Sequence, residues 1–123
     1  MVSQELILTI IDRFYPAGSS SSSIANRLRV QSSEVDPALD SLRKSGQVLY
    51  EGGLYYSRTL AVRRALSTPK GVSTVARELR YPVSEVQNRV NRLMILVEIR
   101  KIVPDRLNPA VPIGQEDLYV VIS

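Results

Sequence analysis

Cysteine and histidine are both missing from the 123 residues of this chain. Their absence removes disulfides, zinc sites of the usual Cys/His kind, thiol nucleophiles and imidazole bases. Carboxylates are present, but none stands at a spacing that pairs it with a nucleophile or a metal, so an enzyme is not expected and no cofactor or metal is implied. The Lys-Gly order in "TPKGVST" (68–74), with no glycine four residues ahead, is not a phosphate loop. Aromatic residues make up only 6%, and the six tyrosines (Tyr15, Tyr50, Tyr55, Tyr56, Tyr81, Tyr119) fall at helix ends and in strands, where packing is a better use for them than base stacking. Long apolar runs are lacking too. No stretch approaches the roughly 20 residues of a membrane span, and the opening "MVSQELILTIIDRF" has Glu5 where a signal peptide would carry positive charge. A cytoplasmic protein with no membrane partner is expected.

What is present begins with charge. The formal net charge is +4, unevenly spread: residues 1–57 hold five Lys and Arg against six Asp and Glu, whereas residues 58–123 hold eleven against six. All of the basicity is therefore in the second half, as a polyanion-facing surface there would require. A solvated basic face is the plainer alternative.

The chain also says one thing twice. "SSEVDPALDSL" (32–42) returns as "VSEVQNRVNRL" (83–93), and at a constant offset of 51 the pairs Ala25/Ala76, Leu28/Leu79, Arg29/Arg80, Ser33/Ser84, Glu34/Glu85, Val35/Val86 and Leu42/Leu93 are identical. An ungapped register of this length marks an internal duplication.

Each copy reads as three helices and a hairpin. Leu6, Ile7, Ile10, Ile11 and Phe14 recur at helical spacing, predicting an amphipathic helix over 3–15 that "PAG" stops. The serine run 19–23 is expected to be a loop ending in an N-cap before "IANRLRV". A third helix, "SEVDPALDSLRKSG", buries Val35, Ala38, Leu39 and Leu42 and stops at Gly46; either Ser33 caps it, or Asp36 does with Pro37 at the first helical position. "QVLYEGGLYYS" is a hairpin turning at Glu51-Gly52-Gly53. In the second copy "RTLAVRRALS" and "STVARELR" give the first two helices. Ser84 and Gln87 suggest a capping box for the third, with Val86, Val90, Leu93 and Val97 as its buried stripe. "EIRKIV" and "DLYVVIS" are the strands of the second hairpin, separated by a loop with Pro104, Pro109 and Pro112. Val97 stands where the first copy has Gly46, so the end of that third helix is undetermined.

The order helix, helix, short turn, helix, hairpin resembles the winged helix-turn-helix superfamily, and "SSIANRLRVQSSEVDPALDSLRKSGQVLYEGGLYYS" is similar to the way its bacterial and phage members are written. Ala25 suits close helix crossing, "RVQSS" the turn, and "LRKSGQV" the passage from recognition helix to first strand. The resemblance covers nearly the whole chain. It implies a mostly α fold with small β-hairpins (α+β): two tandem winged helix-turn-helix domains, 1–57 and 58–123, each of three helices plus a two-stranded wing. It also implies binding to double-stranded DNA, as a small transcriptional regulator or a phage- or plasmid-type control or replication factor. Tandem winged helices also serve as protein-protein interaction adaptors, which is the alternative.

Fold does not fix function, so the outer face of each third helix decides. Opposite its apolar stripe the second copy shows Asn88, Asn91, Arg92 and Ile95, flanked by Gln87 and Arg89 near Ser84. Asn and Gln can pair with adenine, Arg with guanine, and all reach phosphate, which a helix in the major groove requires. Arg77 and Arg80 on helix two, Arg100 and Lys101 on the first strand and Arg106 in the wing loop complete the candidate DNA-binding set. The first copy exposes Asp36, Pro37, Asp40, Ser41 and Lys44, with Glu51 at the wing tip, a face that phosphate repels. It is better suited to packing, dimerisation or a protein partner, unless Arg27, Arg29, Arg43 and Lys44 touch backbone phosphates only. The run "LMILVEI" (93–99) exceeds what one buried face needs; core and inter-repeat packing are expected of it, with a homodimer seam over Leu93 to Val97 as the sharper reading.

Overall fold

A computed structural model describes residues 2–103 and 116–122. Among them are six helices and two two-stranded antiparallel sheets, an α+β architecture: α1 (Gln4–Phe14), α2 (Ser21–Leu28), α3 (Ser32–Lys44), β1 (Leu49–Glu51), β2 (Leu54–Tyr56), α4 (Arg58–Ala65), α5 (Val72–Leu79), α6 (Val83–Ile95), β3 (Ile99–Ile102) and β4 (Leu118–Val121). Two compact units divide the chain, Met1–Leu60 and Ala61–Ser123, with the boundary inside α4. No described helix is long and apolar enough to cross a membrane.

In the first unit α1 starts at Ser3, whose hydroxyl accepts from the Leu6 N–H, and it buries Ile7 and Ile11. The serine run joins the helix instead of preceding it: Ser20 is the N-cap, accepting from the Ser23 N–H at 3.1 Å, and Ser21 to Ser23 form the first turn of α2. One cap on a short polar tract suffices to start the helix earlier than its apolar positions indicate. Neither expected cap begins α3. Its N-cap is Gln31, whose backbone N–H donates to Glu34 Oε2 at 2.9 Å, and Pro37 lies inside the helix. Ile7, Ile11, Ile24, Ala25, Val35, Leu39, Leu42 and Val48 close the core, each fully apolar side chain contributing about 1.5–3 kcal/mol on burial. Gly52 and Gly53, at φ 59° and 80°, make a two-residue turn, so Glu51 belongs to β1 and pairs with Leu54.

The second unit repeats this plan around Val62, Leu66, Val75, Val86, Val90 and Leu93, all fully buried, with Ile99 and Tyr119 nearly so. Helices α5 and α6 start and end 51 residues after α2 and α3. The left-handed caps repeat as well: Arg29 and Arg80 at φ 57° and 60°, Gly46 and Val97 at 76° and 58°. So does an isolated bridge that the sequence pattern did not reveal. Ser19 pairs with Tyr55 through two backbone hydrogen bonds of 2.9 and 2.8 Å, and Lys70 pairs likewise with Tyr119 at 3.1 and 2.8 Å. In each unit the second strand thus pairs on both edges, with the hairpin's first strand on one and a single bridging residue on the other.

Two expectations for α6 fail. Its N-cap is Pro82, which places Ser84 within the first turn, so the Ser84/Gln87 capping box does not form. Val97 is not in the buried stripe: α6 stops at Ile95, the backbone reverses at Val97, and that side chain is 71% exposed beside Ile95 (80%) and Leu96 (47%). Of the run 93–99, Leu93 and Ile99 enter the core and Ile95 to Val97 do not.

Candidate nucleic-acid interface

Packing of Val86, Val90 and Leu93 into the second core fixes which side of α6 turns outward. On that side Ser84, Asn88 and Asn91 are exposed, and Gln87, Arg89 and Arg92 are half-buried. Two pairs one helical turn apart order this surface. Gln87 Nε2 donates to Asn91 Oδ1 at 2.9 Å, and Arg89 Nε reaches Glu85 Oε2 at 3.2 Å. The Arg89 side chain retains only 18% exposure, so its charge is directed along the helix to Glu85. Such i, i+4 pairs contribute a few tenths of a kcal/mol each and, more usefully, restrict rotamers.

Four of the remaining sequence candidates lie on two elements that pack against α6, namely α5 and β3. Arg77 is exposed near the end of α5, and Arg80 is exposed at its left-handed cap. Arg100 and Lys101 are consecutive in β3, so their side chains leave opposite faces of the sheet. Lys101 Nζ is also held 3.2 Å from Asp117 Oδ2. Arg106 lies outside the described residues.

The equivalent surface of the first unit is organised by attraction between opposite charges. Asp40 holds two cations at once, Arg43 at 3.2 Å and Lys44 at 3.0 Å. The hydrogen bond from Lys44, helped by the Arg43 charge, keeps the Asp40 carboxyl below its ordinary range. Arg43 also covers the Tyr50 ring at 5.1 Å, and Tyr50 stacks on Tyr55 at 4.6 Å. Partial burial there raises the Tyr55 phenol above its usual value. Arg27 lies over Phe14 at 4.5 Å. Three of the four cations suggested for backbone contact, Arg27, Arg43 and Lys44, thus have partners inside the unit, and Arg29 stands exposed at its cap.

Position by position the contrast is sharp. The 51-residue correspondence turns Asp36 into Gln87, Pro37 into Asn88, Asp40 into Asn91, Ser41 into Arg92 and Lys44 into Ile95. Both carboxylates become amides that bond to each other, and the lysine becomes an exposed isoleucine. The i, i+4 spacing of Gln87 and Asn91 was in the sequence, but the coupling between them was not anticipated from residue types alone. No protein-family model matches this chain, and no curated protein matches it.

Proposed function

We propose that the chain is a small tandem winged-helix protein that binds duplex DNA through its second unit, as a transcriptional regulator or a phage- or plasmid-type control or replication factor. One observation carries the reading: the outer face of α6 presents Gln87, Asn88, Asn91 and Arg92 where α3 presents Asp36, Pro37, Asp40 and Ser41. A face on which amides replace both outer aspartates, with a guanidinium beside them, can approach phosphates and read base edges. Arg77, Arg80 and one face of β3 add cations around it, in keeping with the basic excess of the second half. The first unit, with Arg27, Arg43 and Lys44 committed to Phe14 and Asp40, is better suited to dimerisation or a protein partner than to reading bases.

Fluorescence anisotropy of the whole chain on a mixed-sequence duplex, over a salt series, tests this. Affinity is expected to fall with a log-log slope of about −4 to −6, the signature of a handful of phosphate contacts. Asn88→Ala/Arg92→Ala is expected to weaken binding about tenfold, the loss of one or two charge-assisted contacts. No binding near 50 mM salt would overturn the proposal. In that event the exposed Ile95, Leu96 and Val97 favour the second reading, an adaptor or homodimer seam with α6's apolar end as the contact.

A further inference from the structure

We propose that Gln87 is the base-reading residue of α6, specific for the adenine of an A·T pair, and that Asn91 is its positioning residue. The inference rests on the DNA-binding reading and adds what that reading leaves open, the base selected and the residue that selects it.

A glutamine on a helix has two properties that spoil discrimination. Its side chain samples several rotamers, and its amide can turn over, exchanging donor for acceptor. The bond from Gln87 Nε2 to Asn91 Oδ1, 2.9 Å long, ties the glutamine rotamer to its neighbour and, in this direction, leaves Oε1 free to accept. It uses one of the two Nε2 hydrogens and directs the amide along the outer face of α6. What remains on Gln87 is an Oε1 acceptor beside one N–H donor. Adenine presents the complement in the major groove, an N6 amino donor beside the N7 acceptor. Guanine offers two acceptors at the same places, and cytosine offers only its N4 donor, so each leaves one group of the oriented amide unmatched.

Asn91 is suited to the supporting role. Its Oδ1 is occupied by Gln87, and its amide nitrogen, a donor only, points no acceptor at phosphate. The first unit supplies the comparison: the same two positions are Asp36 and Asp40, and there Asp40 binds Arg43 and Lys44. Two ionised carboxylates have no hydrogen to donate to each other, so at neutral pH this coupling is available to the second unit alone. Nearby Asn88 is exposed and takes no part in the pair, so its loss is expected to lower affinity without altering which base is chosen.

The experiment is selection from a randomised duplex pool by the whole chain, followed by anisotropy on the selected duplex and on versions with the chosen base pair replaced. Wild type is expected to enrich A·T at one position and to prefer it on the order of tenfold over G·C. Gln87→Ala and Asn91→Leu should each abolish that preference, with the double variant no worse than either. Asn91→Asp keeps an acceptor for Gln87 Nε2 and should restore the preference while lowering overall affinity. Gln87→Glu, stripped of its donor, should shift the choice toward cytosine, whereas Asn88→Ala should weaken binding and leave the choice at adenine. A bound duplex with no base preference overturns the inference and leaves DNA binding intact, as does a preference that survives Asn91→Leu. Failure of the wild type to bind any duplex overturns both. Because Gln87 and Asn91 lie outside the core, melting curves of the variants are expected to match wild type within a few degrees.

Discussion

The two units answer the same structural demand with opposite surfaces. Their cores use the same positions, Val35/Val86, Leu39/Val90 and Leu42/Leu93, all fully buried, and their helices keep one register. On α3 and α6 the buried positions exchange only one aliphatic residue for another, whereas the outward ones change charge. In the first unit a single carboxylate, Asp40, holds both cations at the end of α3; in the second, amides replace the acids and α6 runs out into three exposed apolar residues, Ile95 to Val97. Burial constrains the inner stripe because a lost methylene leaves a cavity, whereas an outer position can change charge with little effect on stability. Duplication therefore leaves the scaffold alike and frees the faces to differ.

That comparison can be broken most forcefully at the core. Leu42→Ala and Leu93→Ala should each cost about 2–5 kcal/mol, read by urea denaturation with hydrogen exchange to assign the loss to a unit. A loss at Leu93 several-fold smaller than at Leu42 would mean that the scaffolds are unequal. A smaller effect is expected at the second left-handed position. Val97, β-branched at φ 58°, pays the steric cost that Gly46 avoids at 76°. Val97→Gly should therefore stabilise the chain by about 1 kcal/mol and Gly46→Val destabilise it by about 1–2 kcal/mol, both by thermal melting. Equal and opposite neutrality at the two sites would contradict the strain argument.

The smallest effect lies in charge. Asp40→Asn releases Arg43 and Lys44 and should steepen the salt dependence of duplex binding by up to about two ions, making the first unit more like the second. An unchanged slope would show that the first unit does not approach DNA even when its cations are released. The same carboxyl gives a pH dependence. Because its folded value lies below the ordinary 3.8, it favours the folded state above that pH, and the contribution disappears as pH falls through the lowered value. With the Asp40 side chain 47% exposed, the acid-side loss is expected to be slight, and to be absent from Asp40→Asn in paired acid titrations of stability.

Much of this architecture was legible because apolar spacing and turn residues agree. The stripe Val35, Leu39, Leu42 and the diglycine at 52–53 each specify one local structure. Caps were less legible. Gln31 and Pro82 begin α3 and α6, although Ser33 and Ser84 are better cap formers in isolation, since the register set by the buried stripe decides where the first turn starts. The pairings of Ser19 with Tyr55 and Lys70 with Tyr119 are backbone contacts between residues far apart in sequence, and no side-chain pattern announces them. On the candidate face, residue identities were readable from rotation alone, but the bonds that commit Arg89 to Glu85, Lys101 to Asp117 and Gln87 to Asn91 depend on rotamers, which spacing does not determine.

The two hairpins also differ in how they can come into being. In the first, Glu51 faces Leu54 across two glycines, so pairing propagates from the turn outward and closes almost no chain. In the second, Ile102 faces Leu118, and residues 103–117 must be spanned before the first ladder bond forms. On a logarithmic closure law the difference is about 2 kcal/mol of chain entropy. Strand β4 is accordingly met from other directions: its Tyr119 exchanges bonds with Lys70, its Val121 N–H donates to the Leu66 carbonyl, and the next residue, Ile122, donates to Glu98. The first sheet can therefore grow from its own turn, whereas the second depends for its closure on bonds to residues flanking α4, α5 and α6, so its pairing is expected to follow those helices.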